Sequence, residues 1–175
     1  MSSSRFSNEE KEAVAERVGG MMLEVNQVHP MNLSAEASSR MAVFQYMVGN
    51  TDWDMVYFHN VELLRTSEGI HIPVPYDFDW AGLVSASYAK PDERLGLRSV
   101  RDRRYRGFCR PEVEFSGIYS EFTELRPELV EIYAGVAGLE EGKKKSALRY
   151  LDGFYDIISS EKRARMRIEE ACRRV

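Results

Sequence analysis

Two acidic clusters, one on each side of a short apolar hairpin, constrain this chain more than any other feature. The first is Gly49-Asn50-Thr51-Asp52-Trp53-Asp54, followed by His59-Asn60; the second is Tyr76-Asp77-Phe78-Asp79. Between them Val61, Leu63 and Leu64 read as one strand, and Thr66-Ser67-Glu68-Gly69 reads as a turn. Ile70, Ile72 and Val74 alternate as the return strand. Pro73 and Pro75 lack the N–H that a ladder needs, so this strand should be short or lie at an edge. The acids fall at both ends of the hairpin, which sets Asp77 at one strand end beside Asn60 at the start of its partner.

The rest of the sequence is mostly helical in pattern, and 175 residues suffice for one domain with its own core. Ser7-Asn8-Glu9-Glu10 is a capping box. After it Val14, Val18, Met21, Met22, Val25 and Val28 recur at steps of three and four, which predicts a helix to about His29, weakened at Gly19-Gly20 and stopped by Pro30. Asn32 or Ser34 can cap a second helix carrying Ala37, Met41, Phe44, Met47 and Val48, with Gly49 as its left-handed stop. Residues 81–115 have no period, and an irregular stretch of that length is often functional. Helical text resumes with Ile118, Phe122 and Leu125, then Leu129, Ile132, Tyr133 and Val136. It continues with Leu148, Leu151, Tyr155 and Ile158, and Ser160 can cap a last, Arg-rich helix. The expected class is α+β, mostly helical, with a central hairpin.

Several function classes are disfavoured. Lys and Arg number 24 against 28 Asp and Glu, a net charge of −4, so overall charge does not point to nucleic acid. Cys109 and Cys172 stand far apart with no partner pair, so they read as two reduced, partly buried thiols. No apolar run is long enough for a membrane span and no signal peptide is visible, so the expected setting is cytoplasmic. His29, His59 and His71 lack metal-ligand spacing; His59, beside Asn60, is expected to support the acidic site. No Gly-x-Ser-x-Gly elbow is present.

The acidic residues suit phosphoryl transfer. That reaction needs hard oxygen ligands for Mg²⁺ and a carboxylate to orient the attacking hydroxyl. Asn60, Asp77 and Asp79 are candidate ligands, Asp52 is the candidate catalytic carboxylate, and Asp54 supports it. Turn building is the competing explanation for Asp52 and Asp54, since Asp and Asn are common turn residues.

On these residues the segment from Phe44 to Asp79 resembles the catalytic part of atypical bacterial protein kinases of the spore-coat (CotH-like) kind, and more distantly the HipA-like kinases. Gly49-Asn50-Thr51-Asp52, Asn60 and Tyr76-Asp77-Phe78-Asp79 stand where those families carry Gly-Asn-x-Asp, an Asn, and a Tyr/Trp-Asp-x-Asp motif. The resemblance implies a kinase-like C-lobe, ATP and Mg²⁺ (or Mn²⁺) as cofactors, and Asp52 as catalytic Asp. It also implies Asn60 and Asp77 as metal ligands, with Asp79 adding a second carboxylate in place of a glycine.

Two departures matter. Asn60 follows Asp52 by eight residues and Asp54 by six, where kinases use about five. There is also no Gly-rich phosphate loop and no Val-Ala-x-Lys strand; Lys11 is the only lysine before Asp52. An N-lobe is therefore expected from a partner chain or from sequence outside this one; otherwise the chain is a degenerate relative.

Residues 94–110 hold seven arginines against Asp102 alone. Arg101, Arg103, Arg104 and Arg106 are candidates for gripping an anionic substrate, since guanidinium forks match phosphate. Pairing with nearby acids to staple a long loop is the plainer reading. Stacking of single-stranded nucleic acid on Tyr105 and Phe108 is the remoter one. The main functional alternative is a non-catalytic, pseudokinase-like binding module whose 81–110 loop engages an anionic partner.

Overall fold

One helix, buried on most of its circumference, organises the chain. The structure is a computed structural model and describes residues 8–175; the Ser7 capping box lies outside them. In chain order the elements begin with α1 (Asn8–Val18), β1 (Gly20–Leu23), a 3₁₀ turn (Pro30–Asn32) and α2 (Ala35–Val48). Ser34 caps α2 by accepting the Ala37 N–H at 3.2 Å, one of the two caps expected. Ser38, Ser39 and Gln45 are buried along with Met41, Ala42, Val43, Tyr46, Met47 and Val48, so α2 is a core helix rather than a surface one.

The first helix ends eleven residues short of its expected limit at His29, and the reason is Gly19-Gly20. Gly19 adopts φ +72°, and the Gly20 backbone lies against the Arg65 carbonyl where a Cβ would clash. Met21 and Met22, spaced for a helix, instead continue as β1. That strand pairs antiparallel with β2 (Val61–Thr66), which pairs antiparallel with β3 (His71–Pro75) in the order β1-β2-β3. The expected hairpin is thus present but belongs to a three-stranded sheet, and β3 lies at an edge, as Pro73 and Pro75 require. Register sets Val61 opposite Pro75 and Leu64 opposite both Ile72 and Met22.

Residues 81–114 are irregular apart from one 3₁₀ turn, Glu93–Leu95. Four helices follow: α3 (Phe115–Glu124), α4 (Arg126–Gly135), α5 (Glu141–Ile158) and the short α6 (Glu161–Ala164). α5 buries Ala147, Tyr150, Leu151, Phe154, Tyr155 and Ile158 against α2 and α3 residues such as Tyr46 and Phe122. α4 departs from expectation: none of its residues is buried, and Ile132 and Val136 are exposed. Ser160 stands at the N-cap of α6 without a side-chain cap bond. A π-turn, Arg165–Glu169, continues α6, closed by Glu170 N–H to Arg165 O at 2.8 Å, and buries Ile168. Among the described residues no helix is long and apolar enough to cross a membrane.

The cysteines are not free thiols: Cys109 and Cys172, 63 residues apart, form a disulfide. A parallel bridge between Phe108 and Arg173 brings them together, with Cys109 N–H to Arg173 O and Arg173 N–H to Gly107 O both at 2.8 Å. The Cα atoms stand 4.9 Å apart, within disulfide range.

At the end of α2, Gly49 takes φ +68°, and a Cβ there would strike the Tyr150 hydroxyl. Gly49→Ala should lower the unfolding free energy by about 2–4 kcal/mol. Tyr150→Phe should restore part of the loss, measured by urea denaturation of the single and double variants; a purely additive result would show that the clash is not the cause.

Candidate functional site

The segment leaving the C-terminus of α2 sets the positions of the first acids. Asn50 turns the chain by accepting the Asp52 N–H on Oδ1 at 3.0 Å, and the buried Trp53 indole donates to Asn50 O at 3.0 Å. Asp54 builds the next turn: Oδ1 accepts the N–H groups of Val56 (2.8 Å) and Tyr57 (3.1 Å), and its backbone pairs with His59 in both directions. Asp54 is therefore a turn builder, as the competing explanation holds. Asp52 is not, because its carboxylate makes no local backbone bond.

Asp52 is held by two neighbours. His59 Nε2 lies 2.9 Å from Asp52 Oδ1. Asn60 Nδ2 donates to Asp52 Oδ2 at 3.1 Å and to Asp52 O at 2.8 Å. With Nδ2 so engaged, Asn60 Oδ1 accepts no described hydrogen bond. Asn60 O in turn accepts the Tyr76 N–H at 3.1 Å, which fixes the second cluster against the first at the open end of the hairpin.

Asp77 comes next, and its Oδ1 faces the Asp79 N–H at 3.5 Å, while Tyr88 Oη donates to Asp79 Oδ2 at 3.1 Å. Burial pushes the Asp77 carboxyl above the ordinary carboxylate range; hydrogen bonding to and repulsion from Asp79 push it the same way, and the charge of Asp52 adds to this. Backbone strain collects here too. Of four non-glycine residues with positive φ, Phe58 (54°), Asn60 (52°) and Asp77 (55°) flank this site. Each such residue costs on the order of 1 kcal/mol, least for Asn and Asp.

Among the described residues no group of three or more His, Cys, Asp or Glu is arranged to hold a metal ion. Mg²⁺ asks for less: one or two carboxylates, with water and phosphate oxygens completing the octahedron. Asp77 and Asp79, whose charges repel, and the free Asn60 Oδ1 fit that demand.

The arginines serve mainly as staples, and they grip backbone carbonyls more than acids. Arg103 donates to Tyr46 O, Met47 O and Tyr150 O and lies over the Tyr150 ring at 3.6 Å. Arg101 donates to Ser146 O, and the buried Arg110 to Pro30 O and Leu33 O. Arg106 donates to Thr51 O and faces Asp54 Oδ2 at 3.9 Å. Burial lowers the Arg103 and Arg106 guanidinium pKa values from their ordinary level, helped in Arg106 by repulsion from Arg173. Arg104 is exposed and bonds only Leu95 O. Tyr105 and Phe108 are core residues, which removes them as stacking platforms.

The exposed cation facing the acids is one that the sequence did not single out. Arg94 pairs with Asp92 and lies within electrostatic reach of Asp52. Its only signal was membership of the arginine run. Tyr88, which reaches Asp79 across the loop, carried no signal at all. The largest cavity, about 750 Å³, lies elsewhere, between α3 and α6, lined by Phe115, Tyr119, Ile158 and Glu161 among others. None of its lining residues belongs to the acidic group, and we place the candidate site at the acids because the titratable groups, strain and charge converge there. Comparison with protein-family models, curated proteins and solved structures finds no match for the chain.

Arg103→Ala should cost about 2–4 kcal/mol, since it strands buried carbonyls, and Arg103→Lys should recover little of this because an ammonium lacks the fork; chemical denaturation reads both. Asp77 makes a pH-dependent demand. The folded chain holds its proton more tightly than the unfolded chain, so stability is lost as pH rises from the unfolded pKa through the raised folded one. Asp77→Asn should therefore raise the melting temperature at pH 7 and leave it unchanged near pH 3, where both states are protonated.

Proposed function

We propose that this chain supplies the acidic half-site of a protein-kinase-like, Mg²⁺-dependent phosphotransferase using a nucleotide such as ATP. The observation that carries the reading is the meeting of Asp52, Asn60, Asp77 and Asp79 at the open end of the β2–β3 hairpin, with Asp52 oriented by its neighbours. Asp52 accepts a hydrogen bond from the acceptor hydroxyl; its carboxylate is partly exposed, and His59 and Asn60 fix its plane. Asp77, Asp79 and Asn60 Oδ1 hold the cation, and relief of the Asp77–Asp79 repulsion favours its binding. When bound, Mg²⁺ (or Mn²⁺) neutralises charge on the phosphate oxygens.

Phosphate contacts from the arginine segment fall in this reading to the exposed Arg94, Arg98 and Arg104, because Arg101, Arg103 and Arg106 already bond main-chain carbonyls. The cover over the nucleotide comes from a partner chain or a further segment. The described sheet has three strands and no Gly-rich phosphate loop. A cytoplasmic setting belongs to the same proposal. The Cys109–Cys172 disulfide stands against it, since such bonds persist mainly in oxidising compartments.

The second reading, a pseudokinase-like binding module, draws on those committed arginines. In it the 81–110 loop presents Val84, Tyr88, Arg94, Arg98 and Arg104, all exposed, to an anionic partner.

Calorimetric titration of Mg²⁺, then Mg-ATP, into wild type and Asp77→Asn separates the two. The phosphotransferase reading expects saturable, Mg²⁺-dependent nucleotide binding that is lost in the variant. Binding of pyrophosphate at low salt without any Mg²⁺ dependence, abolished by Arg94→Gln together with Arg104→Gln, would favour the binding module instead.

A further inference from the structure

The structure assigns the Cys109–Cys172 disulfide as a redox-addressable tether that holds Arg173 on Asp54 and so fixes the turn that positions His59 against Asp52. The chain of contacts is continuous. Arg173 Nη1 lies 3.4 Å from Asp54 Oδ2. Asp54 Oδ1 holds the Val56 and Tyr57 amides, and the Asp54 and His59 backbones exchange hydrogen bonds of 2.9 and 3.0 Å. His59 Nε2 then meets Asp52 Oδ1 at 2.9 Å. Asp54 thus sits between the tether and the carboxylate given the catalytic role above. The significance of the inference for activity rests on that role, but the tether itself does not.

Arg173 has little reason to stay on Asp54 without the covalent bond. Arg106 already faces the same carboxylate oxygen, and the two guanidiniums repel each other. Outside the disulfide, Arg173 is held by two backbone hydrogen bonds and by stacking over the Phe108 ring at 4.6 Å. Its side chain is 39% exposed, so the ion pair is weak on its own. Both cysteines are half-buried rather than sealed in the core, which leaves the bond open to a small thiol. In the reduction a dithiol reagent's thiolate attacks one sulfur and forms a mixed disulfide. The second reagent thiol then expels the remaining cysteine. Two electrons and two protons pass to the protein, leaving Cys109 and Cys172 as thiols and the reagent as its cyclic disulfide. Arg173 then leaves with its segment, and Asp54 keeps Arg106 alone.

The test is amide hydrogen exchange on the full chain, resolved by residue, before and after reduction with dithiothreitol, with thiol alkylation and mass spectrometry confirming each state. Reduction should speed exchange at least tenfold at Cys109 and Arg173, and at Asp54 and His59, while the α2 amides of Val43 and Met47 keep their protection. Arg173→Gln in the oxidised protein should loosen Asp54 and His59 with the disulfide intact, a result that general destabilisation does not give. Unchanged protection at Asp54 and His59 after reduction would overturn the proposal. So would an equal loss across α2, which would make the bond a general staple, or failure of the disulfide to form under oxidised glutathione. None of these readouts depends on nucleotide, so failure of the phosphotransferase reading leaves the tether standing or falling by itself.

Discussion

The C-terminus of α2 ends inside the protein, and its carbonyls must find donors there. Buried carbonyls without partners are costly, and the last turn of any helix has none of its own. Here each is met in turn. Gln45 O accepts from Asn50 N–H, Tyr46 O from Gly49 N–H and Arg103, and Met47 O from Arg103. Val48 O accepts from Leu83 N–H, Gly49 O from Gly82 N–H, Asn50 O from the Trp53 indole and Thr51 O from Arg106. The donors arrive from the irregular 81–110 loop, so that loop is closed over the helix end. The guanidiniums also complement the negative end of the helix dipole. Asp52 begins where this network stops, and its position depends on it.

How much of this could be read from the sequence depends on whether the partner has a sequence identity. Ser34 and Gly49 were legible because caps are chemical and local. The hairpin was legible because alternation and turn residues lie within one short window. β1 was not, since Met21 and Met22 satisfy a helical period equally well and only the approach of Gly20 to the Arg65 carbonyl decides the matter. The arginines were read for acids or phosphate, yet most bond carbonyls, which every residue carries and no pattern marks. The disulfide joins residues 63 apart, a distance over which spacing says nothing. In α4 the apolar positions were visible, but the surface that they face was not: Ile132 and Val136 stay exposed.

The same division runs through the candidate site. The acids themselves, and His59 beside them, were legible as a group around the hairpin. Their arrangement was not: Asp54 serves a turn and two arginines, while Asp52 is left for His59 and Asn60 to hold. Left-handed backbone at Phe58, Asn60 and Asp77, together with the uneasy Asp77–Asp79 pair, places local instability where the network of α2 offers rigid support. Strain of this kind persists only where the surroundings over-determine it, and the closed helix end supplies that determination.

The π-turn at Arg165–Glu169 fits one more residue into its loop than an α-turn does. Loss of a single residue there would let the helix continue regularly, turning everything after it by about 100° and drawing it back by about 1.5 Å. Ile168 would rotate out of the core, and Cys172 would swing away from Cys109. Insertions and deletions in this short span therefore act as a phase change rather than a change of composition: every side chain could be kept and the covalent closure still lost.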